Sequence, residues 1–175
     1  MDTFIHTDRL YLREIKEHDA AALFELDSDP EVHRFLGNQP LKKIEEALPV
    51  VQFIRQQYHE NGIGRWAVIE KESEQMIGWA GFKLIKDTVN GHTGYYDLGY
   101  RFMRKHWGKG YATEVAKALL DYGFNEMNLE VIYAIADIEN LASRSVLEKV
   151  GMVCTGTFIY DNLPHHWFEL LKPSS

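Results

Sequence analysis

Residues 95–124 read YYDLGYRFMRKHWGKGYATEVAKALLDYGF and predict three consecutive pieces of structure. The aromatic-rich run Tyr95–Met103 is typical of a β-strand. Gly108-Lys109-Gly110 follows, and glycine permits backbone angles and a close ligand approach that a side chain would prevent. Apolar residues then recur at helical spacing, at Ala112, Val115, Leu119 and Tyr122. The stretch therefore predicts a strand, a tight glycine loop and an amphipathic helix.

A helix that begins directly after such a loop is a suitable site for a phosphate group. Its first N–H groups have no partner within the helix, and the helix dipole is positive at that end. Basic residues of the same stretch would strengthen anion binding: Arg101, Arg104, Lys105 and Lys109. The loop is neither a P-loop nor a complete G-x-G-x-x-G fingerprint, because Thr113 replaces the last glycine. The alternative is that the two glycines only turn the chain, since Gly-x-Gly is common in turns.

The composition favours a small anionic ligand over a nucleic acid. The 175 residues carry 26 acidic and 19 basic side chains, and the net charge of −7 repels a polyanion. The length and the hydrophobic fraction of 45% are typical of one globular domain, which we expect to span residues 1–175. The N-terminus shows no signal-peptide pattern, and no stretch approaches about 18 successive apolar residues.

We therefore expect a cytoplasmic protein without a membrane span. Cys154 is the single cysteine, so an internal disulfide is excluded, and a lone cysteine fits a reducing compartment. The eight histidines show no metal-ligand spacing, so we expect no metal site.

Two blocks of sequence resemble motifs of the GNAT acetyltransferases. The acetyl-CoA-binding pattern Q/R-x-x-G-x-G/A reads Lys105-His106-Trp107-Gly108-Lys109-Gly110 here, with a lysine in place of the usual Gln or Arg. The segment from Asp137 to Met152 looks like N-x-x-S-x-x-x-x-E-K-x-G-F/M, a pattern of the branch that holds the ribosomal-protein N-terminal acetyltransferases of RimJ/RimL type. The N-terminal TDRLYLREIKEHDAAALFELDSDPEV is similar to the opening strand and first helix of that branch, so the resemblance covers roughly residues 7–171.

The order of predicted elements agrees with the fold that this resemblance implies. The hydrophobic pattern predicts β-α-α-α-β-β-β-α-β-α-β-β, an α/β arrangement with one mixed sheet. A helix joins the strand that ends at Met103 to the strand that begins at Val131, so we expect these strands to be parallel. The resemblance implies the GNAT acyl-CoA N-acyltransferase fold, with a central, mostly antiparallel mixed sheet, helices on both faces, and this parallel pair splayed apart.

The same resemblance implies acetyl-CoA as the cosubstrate and points to particular residues. The backbone of Phe102 and Met103 is expected to hydrogen-bond the pantetheine arm like an added strand. The N–H groups of residues 108–113 are expected to hold the diphosphate, and Asn140 is expected to cap a helix and contact pantetheine. The expected cofactor-binding residues are Phe102, Met103, Arg104, Lys105, Gly108, Lys109, Gly110, Tyr111, Ala112, Thr113 and Asn140.

Two residues are candidates for catalysis, and each has a structural alternative. Asp97 lies where the branch often carries Glu and could accept the proton of the amine, directly or through water; the alternative is a solvated or paired carboxylate. Many GNAT enzymes protonate the leaving thiolate with a Tyr two residues before K-x-G, but that position is Leu147 here, which cannot donate. The resemblance points instead to Ser143, which could equally be a capping serine.

These residues predict an N-acetyltransferase that transfers the acetyl group directly within a ternary complex, because no nucleophile for an acyl-enzyme is evident. The expected acceptor is the α-amine of a peptide or protein N-terminus, since an α-amine with a pKa of about 8 needs only a mild base, whereas the lysine pKa is about 10.4. A small-molecule amine is the alternative acceptor, and a non-catalytic acyl-CoA-binding module is the alternative function. We expect acetyl-CoA and the amine as partners, no nucleic acid and no membrane, and a monomer or homodimer.

Overall fold

The computed structural model describes residues 3–174, which form eight β-strands and five α-helices. The strands are β1 (Thr3–His6), β2 (Leu10–Glu14), β3 (Arg65–Glu70), β4 (Gln75–Ile85), β5 (Tyr95–Phe102), β6 (Val131–Asp137), β7 (Val153–Tyr160) and β8 (Leu163–Leu171). The helices are α1 (Ala20–Asp27), α2 (Pro30–His33), α3 (Ala47–Asn61), α4 (Tyr111–Asn125) and α5 (Leu141–Lys149). Within residues 3–174, every helix is too short or too polar to cross a membrane.

All eight strands form one sheet in the order β1-β2-β3-β4-β5-β6-β8-β7. The β5–β6 pair is parallel and the other neighbouring pairs are antiparallel, which confirms the mixed, mostly antiparallel sheet. β5 is paired with β4 along its whole length, but it meets β6 at the single position Asp97↔Tyr133. Beyond Asp97 the two parallel strands therefore diverge toward the glycine loop and leave a cleft through the sheet.

Helices cover both faces of the sheet, as expected. On one side, here called the α4 face, α4 and α5 pack on the sheet, and Val115 and Leu119 of α4 are fully buried there. On the other side, the α3 face, Leu23 and Leu26 of α1 and Val51 of α3 are fully buried. Burying each such side chain contributes roughly 1.5–3 kcal/mol, so the two cores hold the strands beside the cleft firmly in place.

Three features differ from the sequence-based prediction, each for a local reason. β1 has no counterpart in the predicted order, because four residues are too few to show a period; it pairs with β2 at the edge of the sheet. The helix predicted over residues 41–60 is a 3-10 turn, Ile44–Glu46, followed by α3. Pro49 falls in the first turn of α3, where a missing N–H removes no helical hydrogen bond. β5 ends at Phe102, one residue earlier than expected, because the chain then turns.

Candidate active site

The glycine loop before α4 has the backbone of an anion site. Gly108 has a φ of 75° and Gly110 a φ of 82°, in the left-handed region that favours glycine. Gly110 is the N-cap of α4, and no side chain caps the first-turn N–H groups. A Cβ added to Gly108 would meet nothing within 4 Å, and one on Gly110 would lie 3.5 Å from Nη2 of Arg9. The loop thus combines open space with N–H donors, which fits a diphosphate.

The predicted basic residues of the loop are largely paired with acidic residues near α1 and α2. Nε of Arg104 lies 2.9 Å from Oδ2 of Asp29, and Nζ of Lys105 lies 2.8 Å from Oε1 of Glu25. Both cations are 58% exposed, and exposed pairs are worth only about 0–1 kcal/mol, so either cation can exchange its partner for a bound anion. Lys109 is exposed and forms no ion pair with any residue from 3 to 174.

Arg101 does not belong to this group, contrary to the sequence-based expectation. Its Nη1 lies 2.7 Å from Oδ1 of Asp27, and its guanidinium lies over the ring of Trp79, 4.8 Å from the centroid. Oδ1 of Asp27 also lies 3.2 Å from Nε2 of His33. Successive side chains of a strand point to opposite faces, so Arg101 lies on the α3 face together with Asp97. The positive charge of Arg101 therefore lies on the α3 face, where it pairs with Asp27, and not at the glycine loop.

The first residue of α4 can contribute its backbone to the anion site, while its side chain has a structural role. The hydroxyl of Tyr111 donates to Oε1 of Glu70 at 2.6 Å, and the Arg9 guanidinium stacks over the ring, 4.3 Å from the centroid. Ala112 and Thr113 follow in the same turn and are partly exposed. The N–H groups of these three residues form the helix end that faces the loop.

The backbone at the end of β5 is only partly available to a ligand. Met103 N–H donates to the Ile77 carbonyl at 3.0 Å, and the Met103 carbonyl accepts from His106 N–H at 2.9 Å. Adjacent strand residues direct their backbone groups to opposite sides, so those of Phe102 face the cleft. The Phe102 carbonyl accepts from Nε1 of Trp107 at 2.8 Å. Phe102 is therefore the better placed of the two predicted residues, although a ligand would share its carbonyl oxygen with Trp107.

A pair of hydroxyl groups lies beside the cleft on the α4 face. Oη of Tyr100 on β5 is 3.1 Å from Oγ of Ser143 on α5. Asn140 caps α5 as predicted, because its Oδ1 accepts from Ser143 N–H at 3.2 Å. Ser143 itself is not the capping residue, since its hydroxyl faces Tyr100. Leu147 is 1% exposed and packs in the core.

Sequence reasoning missed Tyr100, because its role depends on a contact with a helix 43 residues further along the chain. Burial raises the pKa of the Tyr100 phenol to about 12, although the hydrogen bond with Ser143 acts in the opposite direction. The phenol is thus protonated at neutral pH and can donate a hydrogen bond.

Asp97 lies on the α3 face, and its carboxylate is paired with Arg65 of β3. Nη2 of Arg65 lies 2.8 Å from Oδ2 of Asp97, and Nη1 donates to the Asp97 carbonyl at 2.7 Å. Burial raises the pKa of the Asp97 carboxyl above its ordinary value, even though Arg65 and Lys83 lower it. Oδ1 of Asp97 accepts no hydrogen bond from residues 3–174. The carboxylate is therefore paired, yet it keeps one oxygen for a ligand.

The arrangement of Arg65 depends on a glycine within β5. A Cβ on Gly99 would lie 2.8 Å from Nη2 of Arg65, closer than real Cβ atoms approach other groups. Gly99 follows Asp97 by two residues and lies on the same face, so its missing side chain leaves room for the guanidinium. The isolated glycine within a strand pattern was the only sequence signal for this close approach.

Lys83, Tyr95 and Tyr160 complete the surroundings of Asp97. Lys83 of β4 is its register partner in the sheet. Burial, and then the charge of Asp97, raise the pKa of both tyrosines. Asp97 therefore faces a polar and aromatic recess on one side of the sheet, while Tyr100 and Ser143 lie on the other, and the cleft joins the two sides. Between residues 3 and 174, no cluster of three or more His, Cys, Asp or Glu side chains could hold a metal ion.

Known proteins resemble this chain both in sequence and in structure. A family model described as an acetyltransferase (GNAT) domain matches residues 9–153. The uncharacterized N-acetyltransferase p20 of Bacillus licheniformis is 36% identical over 147 residues, which cover 84% of this chain and 80% of that protein. The crystal structure of a GNAT-family acetyltransferase from Bacillus anthracis is 30% identical, with a TM-score of 0.79, and the match covers 97% of this chain and 98% of that one.

A further solved structure is that of the spermidine N-acetyltransferase from Vibrio cholerae in complex with CoA and spermine. It has a TM-score of 0.76 and covers 95% of this chain and 97% of its own, but at 19% identity it shows the fold alone. The family model matches most of the chain, and the two closer relatives are at least 30% identical to it over most of their length. The chain therefore belongs to the GNAT family of N-acetyltransferases, which use acetyl-CoA as the acetyl donor.

Proposed function

We propose that this enzyme acetylates an α-amine by direct transfer from acetyl-CoA within a ternary complex. One observation carries the proposal: the cleft between β5 and β6 has a hydroxyl pair on the α4 face and a carboxylate on the α3 face. Acyl transfer needs a proton acceptor for the amine on one side of the reacting carbon and a hydrogen-bond donor for the departing sulfur on the other. Asp97 and the Tyr100–Ser143 pair are proposed to supply these two groups.

The α4 side of the cleft fits acetyl-CoA, which when bound supplies an activated acetyl thioester. The N–H groups of residues 108–113 would hold the diphosphate at the start of α4, and the dipole of this 15-residue helix adds to their attraction. Lys109, Arg104 and Lys105 lie beside the loop and would neutralise phosphate charge. The backbone of Phe102 would bind the pantetheine arm along the open edge of β5, and Asn140 lies at the start of α5 across the cleft.

Asp97 is proposed to take the proton of the amine. A base works best when its pKa lies near the operating pH, and burial raises that of Asp97 in this direction. An α-amine has a pKa of about 8 and is roughly one-tenth neutral at pH 7, so a carboxylate is a sufficient base for it. A lysine side chain, with a pKa of about 10.4, starts with roughly 250-fold less of the neutral form. This difference supports an α-amine as the acceptor.

Ser143 is proposed to stabilise the departing sulfur, with Tyr100 as its partner. Ser143 has its hydroxyl 3.1 Å from that of Tyr100, so either group can donate a hydrogen bond toward the cleft. In the net transfer, one C–N bond replaces one C–S bond, Asp97 takes the proton that the amine loses, and this hydroxyl pair hydrogen-bonds the departing sulfur. The pair would take the role of the tyrosine that many GNAT enzymes carry at the position of Leu147.

The position of the single cysteine supports direct transfer. Cys154 lies on β7, and both β6 and β8 separate that strand from β5 and from the cleft. Its Sγ lies 3.6 Å from Nδ1 of His166, a contact under α5 rather than in the cleft. A thiol at this position is too far from the reacting carbon to form an acyl-enzyme.

The binding-module alternative predicts a different result in a turnover assay. A binding module binds acetyl-CoA, but it releases no thiol from it with any amine.

Two classes of acceptor carry a suitable primary amine, namely a peptide N-terminus and a small-molecule amine. The resemblance to the RimJ/RimL branch favours a peptide N-terminus. A small amine is the second class, and one contact supports it. A Cβ on Gly37, after α2, would lie 3.9 Å from Oδ2 of Asp161 in the β7–β8 turn, so the two segments meet beside Tyr160. We propose that this contact narrows the approach to Asp97 from the α3 face.

The test uses two matched peptides, one with a free N-terminus and blocked lysines, the other with a blocked N-terminus and free lysines. Thiol release from acetyl-CoA is measured at pH 7, where we expect faster acetylation of the free N-terminus. Faster acetylation of the lysine peptide would contradict an α-amine acceptor. A panel of small primary amines in the same assay separates the two acceptor classes, and no turnover with any amine would favour the binding module.

A further inference from the structure

Lys83 is an unpaired cation on the α3 face of the cleft. It is partly buried, and its ammonium forms no ion pair with any residue from 3 to 174. Its Nζ lies over the aromatic ring of Phe53 on α3, 5.7 Å from the ring centroid. The other two cations of this recess, Arg65 and Arg101, are each bound to an aspartate at 2.7–2.8 Å. Of these three cations, Lys83 is therefore the one without a carboxylate partner among residues 3–174.

The surroundings of Lys83 disfavour an isolated charge. Burial and then the nearby Arg65 lower the pKa of the Lys83 ammonium, and the charge of Asp97 offsets these two effects only in part. A partly buried ammonium is stabilised by an anion, and Arg65 already occupies Oδ2 of Asp97. A ligand that brings its own carboxylate would supply the missing charge.

The spacing of Lys83 and Asp97 suits a small ligand. The two residues are register partners on β4 and β5, so their Cβ atoms are roughly 4.5–5.5 Å apart and their side chains point to the same face. A cation and an anion of the protein thus stand side by side. An amine and a carboxylate separated by a few bonds in one molecule form the complementary pair.

We infer that the acceptor is an amino acid or a similar small amino carboxylate, whose amine binds at Asp97 and whose carboxylate binds Lys83. This inference rests on the proposed function, and it makes the acceptor more specific. A ligand carboxylate would contact the local positive charge of Lys83, even though the chain as a whole has a net charge of −7. The contact between Gly37 and Asp161 also favours a small acceptor over a chain that continues beyond the recess.

The test compares acceptors that differ only in the carboxylate. Initial rates with acetyl-CoA are measured for a panel of amino acids, for the corresponding amino-acid amides, and for spermidine. The amide has the lower amine pKa and hence the larger neutral fraction, so the comparison is biased against the inference. Since a hydrogen bond to a charged group contributes about 1.5–3 kcal/mol, we expect kcat/KM to be about tenfold or more higher for at least one amino acid than for its amide.

The variants assign this preference to Lys83. In Lys83→Met, which keeps a straight side chain without the charge, the ratio of the two kcat/KM values should fall to about one or below, because the amide has the larger neutral fraction; Lys83→Arg should retain most of the preference. Lys86→Met, at an exposed lysine three residues further on, is the matched control and should keep the wild-type ratio. Calorimetry of N-acetyl amino acid binding in the presence of CoA provides a readout without turnover, and Lys83→Met should weaken this binding about tenfold or more.

The outcomes distinguish this inference from the proposed function. Turnover of amides or spermidine at rates equal to or above those of every amino acid would overturn the inference and leave the acetyltransferase proposal intact. An amino-acid preference that survives in Lys83→Met would likewise overturn the assignment to this residue. Absence of turnover with all amines, despite acetyl-CoA binding, would overturn both.

Discussion

At the scale of single residues, Gly110 combines a backbone requirement with a requirement for space. Its φ of 82° is strained for a residue with a branched side chain, and it is the N-cap residue at the start of α4. We expect Gly110→Val to weaken CoA binding by about 2 kcal/mol, or roughly 30-fold, because the side chain keeps the diphosphate away from the loop. Calorimetry with CoA measures the effect.

Gly62→Val is the matched control for this prediction. Gly62 ends α3 with a φ of 71°, and a Cβ there would meet nothing within 4 Å, so the variant has the same backbone strain at a distance from the loop. Both variants should lose stability, but only Gly110→Val should lose CoA affinity. Unchanged affinity in a folded Gly110→Val protein would remove the loop from the binding site.

Ser143 is a second residue whose role can be tested alone. We expect Ser143→Ala to lower kcat about 10–100-fold, below the full range of general acid–base effects, because Tyr100 remains to donate a hydrogen bond. Affinity for acetyl-CoA should change little. Ser145→Ala, at an exposed serine of the same helix, controls for effects on α5. A wild-type kcat in Ser143→Ala, together with a lower melting temperature, would show that the hydroxyl only supports packing.

At the scale of elements, a buried ion pair fixes the start of α1 to β2. Arg13 of β2 and Asp19 before α1 are 6% and 4% exposed, and they form two hydrogen bonds, of 2.7 and 2.9 Å. Asp19 also accepts from Lys16 N–H at 2.8 Å. We expect Asp19→Asn to lower the free energy of unfolding by about 3–5 kcal/mol, because it leaves Arg13 buried without a counter-ion. Urea unfolding at pH 7 measures this loss.

The exposed pair Arg144–Glu148 of α5 is the control, and Glu148→Gln should cost no more than about 1 kcal/mol. The pH dependence gives a second check. Burial alone would raise the pKa of Asp19, but the hydrogen bonds from Arg13 and Lys16 lower it below its ordinary value. Its stabilisation is therefore complete above the unfolded pKa of about 3.9 and is lost as the pH falls through the folded value. Equal acid sensitivity in wild type and Asp19→Asn would contradict this.

At the scale of the whole molecule, the cleft divides the sheet between β5 and β6. One register pair joins these strands, whereas β5 is paired with β4 along its whole length. The strands β1–β5 and β6–β8 thus form two parts of the sheet that have few direct hydrogen-bonded contacts. A ligand that binds both the start of α4 and the start of α5 would link these two parts. Stability should thus depend on the ligand that occupies the cleft.

We expect acetyl-CoA at a concentration about 100-fold above its Kd to stabilise the folded protein by about 2.7 kcal/mol. For a chain of this length, that corresponds to a rise in Tm of roughly 5–10 °C. Differential scanning calorimetry with and without acetyl-CoA makes the measurement, and Gly110→Val at the same ligand concentration should show a much smaller rise. No rise in the wild-type protein would contradict binding across the cleft.

The sequence by itself determined the elements whose causes are local. The strand, glycine loop and helix of residues 95–124 could be predicted, since strand composition, two glycines separated by one residue and helical spacing all act within a few residues. The parallel pairing of β5 and β6 followed from the helix between them. Asn140 as the cap of α5 followed from its place before the helical pattern.

Only the tertiary structure decided which side chains meet across the cleft. Tyr100 contacts Ser143, Arg65 pairs with Asp97, and Lys83 stands beside that pair, all between residues far apart in the chain. Arg101 illustrates the reason: it lies in the same basic stretch as the loop, but strand alternation directs it to the opposite face. Local pattern sets the conformation of a segment, whereas the partners of a side chain depend on which elements pack against it, and that packing is a property of the whole chain.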